Sequence, residues 1–399
     1  MPSAMIVDAV RIPRASIRGD AAYAAVKPVD LLRPLFTAIS ERNHLDSAEV
    51  EDVLLGCSTQ SGDQGANIAK IAALYAGWPD RVSGVTLNRF CCSGLDAINL
   101  AASKIMSGME SVLVAGGVEQ LSAVPMFADR GPWFSDPKVM KATRFMHMGL
   151  SADLIASQQG FSRAQLDACA LQSHQRAAHA VQNDYFKPSL IPVRDQNTHP
   201  LLASDNALRP QLNREQLAAL PSSFTDFVEQ GQRLVDRVYP DTRLMPLHTA
   251  GNSPALVDGA SLLLLASEDA CTRLSLTPRA RIRYFANASD EPVRMLTGHL
   301  RATEKLFAAT GLKTDDIDLW EVNESFAASV LYFQQHFNIA SEQLNVNGGA
   351  IALGHPLGAT GGNLMGTLLD EMERQNLKRG IVAICGGAGV GVATLIERL

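Results

Sequence analysis

Apolar residues recur along this 399-residue chain in two rhythms: short continuous runs, as expected of strands buried on both faces, and longer stretches at helical spacing. Ala4 to Val10 predicts a first strand, Pro28 to His44 a helix, Val53 to Cys57 a second strand and Ala66 to Tyr75 a second helix. Val85, Thr86 and Leu87 end a third strand. From Leu95 the apolar positions fall at Ile98, Ala102, Ile105 and Met106, which is helical, until Gly108 stops the run. Val112 to Ala115 is again a buried strand. Much later the series resumes, with a strand at Arg281 to Asn287, a helix at Val293 to Ala309, a strand at Ile317 to Glu321 and a helix at Ser325 to His336. Val346 then leads into a glycine-rich turn, Leu357 to Met372 is helical, and Ile381 to Cys385 is a buried strand.

The same order of elements thus occurs twice. A repeated supersecondary order is an architectural signal even where residue identity is weak. Alternating strands and helices predict an α/β fold with parallel sheets and helices on their faces. The run Ser261 to Ser267 (SLLLLAS) reads as the last strand of the first half, so residues 120–250 form an insertion and the halves comprise 1–119 with 251–270, and 271–399. If the halves superimpose, the corner after the third strand carries Cys91 in one and His355 in the other. Ligands bind such sheets beyond the carboxyl ends of the strands, which puts both groups on the functional edge.

Cys91 sits where a strand turns into a helix. Unpaired amides and the positive end of the helix dipole favour thiolate there, which makes Cys91 a candidate nucleophile. The alternative is a small buried hydrophobe. His355 lies in the glycine-rich stretch Asn345 to Asn363, NVNGGAIALGHPLGATGGN, where backbone must approach backbone or ligand closely. Cys385 ends a strand and is followed by four glycines within six residues, without the spacing of a dinucleotide or phosphate loop. Amides in such a turn suit an oxyanion. Two thiols and an imidazole at one edge predict acyl transfer coupled to carbanion chemistry, one sulfur carrying the acyl group and the other moving a proton at carbon.

Composition narrows the setting. A net charge of -6 argues against general attraction to nucleic acid or anionic membrane, so a phosphate-bearing ligand needs a local basic patch. Arg194, Arg209, Arg214, Arg233, Arg237 and Arg243 of the insertion could supply one, or form a solvated face. The six cysteines show no metal-ligand spacing and read as cytosolic thiols, so no metal site is predicted. The first residues lack the apolar core of a secretory signal, the last three are not a peroxisomal address, and Leu262 to Ala266 is too short to span a bilayer, which predicts a cytoplasmic protein.

Four ordered motifs resemble the thiolase family, the acetyl-CoA acetyltransferases and 3-ketoacyl-CoA thiolases. Asn88 to Gly94 (NRFCCSG) matches NxxCxSG, Asn323 to Ala327 (NESFA) matches NEAFA, GGAIALGHPLGATG is intact, and Cys385 to Gly391 (CGGAGVG) matches CxGGGxG. The resemblance covers the full length. It implies a thiolase-like fold of two βαβαβαββ domains with an inserted loop domain, coenzyme A as substrate with no permanently bound cofactor, CoA thioesters as ligands, and a homodimer or homotetramer. It also implies Cys91 as the acyl carrier, His355 as its base and Cys385 as acid and base at carbon. Asn323 with His355 would serve one oxyanion hole through a water, and the amides of Cys91 and Gly387 the other. Met148 resembles a residue lining the acyl pocket, with His147 beside it. Pro254 stands where the family often has a serine touching the pantetheine arm. Ala388 replaces a usual glycine, which is expected to be tolerable only at negative φ. A decarboxylating ketosynthase would share fold and nucleophile, but Cys385 occupies a place where it generally has histidine. A lipid carrier on the same fold is the reading outside catalysis.

Overall fold

The computed structural model describes residues 2–19 and 21–399. Among the described residues ten strands share one sheet: β1 (Ala4–Arg11), β2 (Ala15–Ser16), β3 (Asp52–Gly56), β4 (Val85–Leu87), β5 (Val112–Glu119), β6 (Val257–Ser267), β7 (Ala280–Ser289), β8 (Leu319–Val322), β9 (Arg379–Cys385) and β10 (Val390–Arg398). The spatial order β4-β3-β5-β6-β1-β7-β10-β9-β8 reads the same from both ends. Each half contributes its strands in the order third, second, fourth, fifth, first, counted from its outer edge. In the second half the third strand shrinks to a single parallel bridge between Leu344 and Trp320. The halves join where β1 pairs antiparallel with β7, Ala4 opposite Ile282.

The sheet is mixed, which corrects the expectation of parallel pairing throughout. β3 is parallel to β4 and β5, and β8 to β9, but the last strand of each half runs antiparallel to its neighbours. The cause is plain in the second half: residues 386–389 are too few for a crossover, which needs a dozen or more, so β9 and β10 form a hairpin.

Five layers result. Leu262 and Leu264 of β6 point into a core with Leu31, Leu35 and Phe36 of helix Pro28–Arg42. Leu263 and Leu265 point the opposite way, into a second core. That second core contains Leu95, Ile98 and Ile105 of helix Ser93–Met106, Leu364, Leu368 and Leu369 of helix Thr360–Arg374, and Val382, Ile384 and Val392 of the second half. Ile381 and Ala383 face a third core with Leu300, Leu306 and Phe333. Period-two alternation therefore buries both faces of strands such as β6 and β9, at roughly 1.5–3 kcal/mol for each large side chain. The middle layer, helices Ser93–Met106 and Thr360–Arg374, is supplied one helix from each half.

Residues 120–256, between β5 and β6, carry helices Met148–Gln159, Arg163–Gln182 and Val228–Val238. These share a core with Phe326, Ala327 and Cys385, so the insertion lies over the carboxyl ends of the second half's strands.

Candidate active site

Three of the predicted chemical residues stand at strand ends, while His355 follows the short helix Ala350–Leu353. Cys91 comes four residues after β4, Asn323 directly after β8, and Cys385 is the last residue of β9. Phe90 has φ 51, a left-handed turn that sets the next residue just ahead of helix Ser93–Met106. Asn88 holds that turn, its Oδ1 accepting from the Phe90 amide at 2.7 Å. In the facing corner Gly354 (φ 94) precedes His355, whose amide donates to the Ala255 carbonyl at 2.8 Å.

Glycines let the two corners touch backbone to backbone. A methyl group on Gly94 would strike the Gly358 carbonyl, and one on Gly361 the Leu95 amide. Glu119, fully buried at the end of β5, ties the corners further: its carboxylate accepts from the amides of Ser58 (2.8 Å), Thr59 (3.0 Å) and Gly358 (2.9 Å) and from Gln64 Nε2 (3.1 Å). The turn after β9 closes the third side, where Gly386 packs against the Cys91 amide and Cys92 Sγ. The structure thus brings Cys91, Cys385 and the His355 corner to one place. Its cavity is lined by Cys91, Gly387, Met148 and Leu357, by Phe90, Trp133 and Phe134 among the aromatics, and by Ser58, Thr59 and Asp129.

Electrostatics here run against the thiolate expectation. Burial pushes the Cys91 thiol up to about 12, the nearby Cys385 and Glu119 adding to it, against hydrogen bonds from the amides of Cys91 and Gly387. The helix terminus loses to desolvation because the thiol is 5% exposed among apolar neighbours. Burial likewise pulls His355 down to about 4, with the Arg14 charge adding to the fall. Resting partners are therefore a neutral thiol and a neutral imidazole. Nδ1 of His355 pairs with Thr360 Oγ1 at 2.8 Å, and Nε2 is buried with no hydrogen-bond partner among the described residues.

Cys385 is fully buried, which raises its thiol, while Ser325 and Ser329 pull the other way. Asn323 is also fully buried; its Nδ2 donates to Ser325 Oγ at 2.9 Å and its Oδ1 has no partner among the described residues. His147 does not line the cavity: it caps helix Met148–Gln159, Nδ1 accepting from Gly149 N at 3.3 Å, and its ring stacks on Phe227 with centroids 5.3 Å apart.

The structure also corrects the expectation for Ala388, whose φ is +56. The conformation is imposed by its neighbours: Gly386 N donates to Val390 O, and Asp290 N to Gly389 O, both at 2.9 Å. An alanine in the left-handed region costs about 1–2 kcal/mol, held here by the closed turn.

Three contributors escaped sequence reasoning. For Glu119 the one local signal is its place as a lone acid ending an apolar strand. Arg14 and Asp205 had no local signal, being 191 residues apart; Asp205 accepts from both Arg11 (2.7 and 2.9 Å) and Arg14 (3.3 Å), and Arg14 Nη1 reaches the Gly354 carbonyl at 3.2 Å. All six predicted arginines of the insertion are exposed.

Family models decide the relationship. The thiolase N-terminal domain matches residues 4–231 and the thiolase C-terminal domain residues 276–398. The chain belongs to the thiolase family. Thiolases are enzymes that transfer acyl groups. Its curated relatives include proteins named 3-ketoacyl-CoA thiolase from Serratia proteamaculans (39% identical) and Cronobacter sakazakii (38%), each aligned over 100% of both chains. The crystal structure of the Bacillus anthracis acetyl-CoA acetyltransferase is 33% identical, with a TM-score of 0.87 over 100% of this thiolase and 99% of that chain. Among the described residues of this thiolase no helix is long and apolar enough to cross a membrane.

Proposed function

We propose that this thiolase cleaves 3-ketoacyl-CoA with coenzyme A, and in reverse condenses acyl-CoA with acetyl-CoA, through an acyl group carried on Cys91. The observation that carries the reading is the meeting of two glycine-joined corners, one presenting Cys91 to the amides of Cys91 and Gly387, the other presenting a neutral imidazole with Nε2 free. Because both partners rest uncharged, proton transfer accompanies attack. Cys91 Sγ adds to the 3-keto carbon as His355 takes its proton, and the two amides receive the oxyanion. The bond between C2 and C3 then breaks, leaving the acyl group on sulfur. The acetyl-CoA enolate so released takes a proton from Cys385, its oxygen held by Asn323 and His355. The proton held by His355 then returns to the Cys385 thiolate, and the freed imidazole deprotonates a second CoA thiol, which takes the acyl group as Cys91 leaves and recovers its proton from His355.

The cavity supports an apolar acyl group, with Met148 at its wall; His147 supports that wall from behind, capping the helix that Met148 begins. The exposed arginines of the insertion are available to CoA phosphates, while Pro254 offers the pantetheine arm neither hydroxyl nor amide hydrogen. No permanently bound cofactor enters the scheme. In this scheme the chain divides into a first half of 1–119 with 251–270, an insertion of 120–250 and a second half of 271–399. Six free thiols support a cytoplasmic setting. The edge strand β4, with Val85 and the neighbouring Ile71, Leu74 and Tyr75 exposed, supports a homodimer, alone or paired into a tetramer.

The test is thiolysis of acetoacetyl-CoA with mass spectrometry of the trapped intermediate. The acyl mark should sit on Cys91 and vanish in Cys91→Ala. Cys385→Ala should keep the mark yet lose condensation by about 10²–10⁴-fold. A mark on another cysteine, or unchanged condensation without Cys385, removes the corresponding role.

A further inference from the structure

Position 325 is alanine in the NEAFA pattern and serine in this chain. The added hydroxyl does not face solvent. Ser325 is 5% exposed and its Oγ lies 3.2 Å from Cys385 Sγ, which donates to it as a thiol. On its other side Ser325 Oγ receives the Asn323 Nδ2 proton at 2.9 Å. Both bonds to the oxygen are then incoming while Cys385 is protonated. Once Cys385 gives up its proton, the Ser325 hydroxyl hydrogen is free to turn and donate to the sulfur.

Ser329 approaches the same sulfur less closely, at 3.6 Å, where either atom can donate. Its hydroxyl hydrogen also serves the Leu296 carbonyl at 3.0 Å, so donating to a Cys385 thiolate would give that bond up. Ser325 is therefore the nearer of the two, and its hydroxyl hydrogen has no other acceptor among the described residues.

We infer that Ser325 is a positioning residue for the proton step at carbon: it aims the Cys385 thiol, and it steadies the thiolate left when that thiol protonates the enolate or, in reverse, formed when it takes a proton from acetyl-CoA. The balance is simple. In cleavage the S–H bond of Cys385 breaks, a C–H bond forms at the departing acetyl group, and the electron pair stays on sulfur; condensation runs the same exchange backwards. Fixing donor direction beforehand makes the thiolate cheaper to form than burial alone allows. The titratable groups that face Cys385 are Cys91 and Cys92 of the nucleophile corner. Toward the Leu296 turn the nearest charges, Asp290 and Arg294, pair with each other at 3.5 Å. The inference rests on the proposed role of Cys385.

Ser325→Ala restores the residue of the family pattern, so loss of folding is not the expected outcome. The measurement is exchange of deuterium from solvent into the methyl group of acetyl-CoA on the acylated enzyme, followed against pH beside the stoichiometry of acyl-Cys91 by mass spectrometry. In Ser325→Ala the exchange should slow about fivefold to tenfold, the size of one lost hydrogen bond, with its alkaline rise displaced to higher pH. Acylation of Cys91 should stay within about twofold, and Ser325→Thr, which keeps a hydroxyl, should recover the wild-type pH profile. An unmoved pH profile in Ser325→Ala, or Ser325→Thr behaving as the alanine variant does, overturns the inference. Absence of exchange in wild type whose Cys91 acylates normally would instead remove the role of Cys385 itself.

Discussion

At the scale of single residues the site spends conformational energy where chemistry is done. Phe90, Leu357 and Ala388 all have positive φ, and each borders the cavity or the turn that closes it. Ala388 gives the cleanest test, because glycine would remove the steric cost at that φ. Relief of about 1–2 kcal/mol is partly offset by the greater unfolded-state freedom of glycine, about 0.4–1 kcal/mol, so Ala388→Gly should gain on the order of 1 kcal/mol. Chemical denaturation read by circular dichroism would show it as a higher midpoint. A lower midpoint would mean that the methyl group contributes packing that outweighs the strain. The pairing of a raised thiol with a depressed imidazole has the same origin: both groups lost water, and neither gained a counter-charge.

The elements show what the sequence could and could not convey. Strands such as Leu262 to Leu265 were legible because burial on both faces leaves an unbroken apolar run. Helix bounds were less so. The first half's second helix begins at Ile68 rather than Ala66, since Ala66 and Asn67 both take φ 53. The helix expected from Val293 begins at Gly298, because the Glu291 carboxylate captures the amides of Val293 and Arg294 in a turn. Cys91, His355 and Cys385 were legible from their place beside strand ends and glycines. Glu119, Arg14 and Asp205 act through partners distant in sequence, and no local period encodes such pairs. Close approach of the two corners was implied by glycine density, but which glycine meets which backbone required coordinates. Gly94→Ala places a methyl group against the Gly358 carbonyl, and overpacking of this kind costs about 1–3 kcal/mol or more. Acylation should fall with it, as the thiol and imidazole corners part. A variant of native stability and native acylation rate would show that the corners need not touch.

For the whole molecule the shared middle layer governs stability. Helix Thr360–Arg374 of the second half buries Leu364, Met365 and Leu368 in one core with Ile6, Leu113 and Leu263 of the first. Neither half can close that core alone. Calorimetry should therefore find a single unfolding transition in spite of the two family domains, with calorimetric and van't Hoff enthalpies in agreement per cooperative unit. Two resolved transitions would mean that the halves unfold separately.

The palindromic strand order has a consequence for ancestry. A single half, paired with a copy of itself about a twofold axis, would generate the same sheet and the same two facing corners, but with one residue repeated at both. Symmetry forbids such an ancestor from setting sulfur against imidazole. Fusion of two copies into one polypeptide lifts that restriction, since each corner can then mutate alone, and a nucleophile can acquire a base that is not its own duplicate.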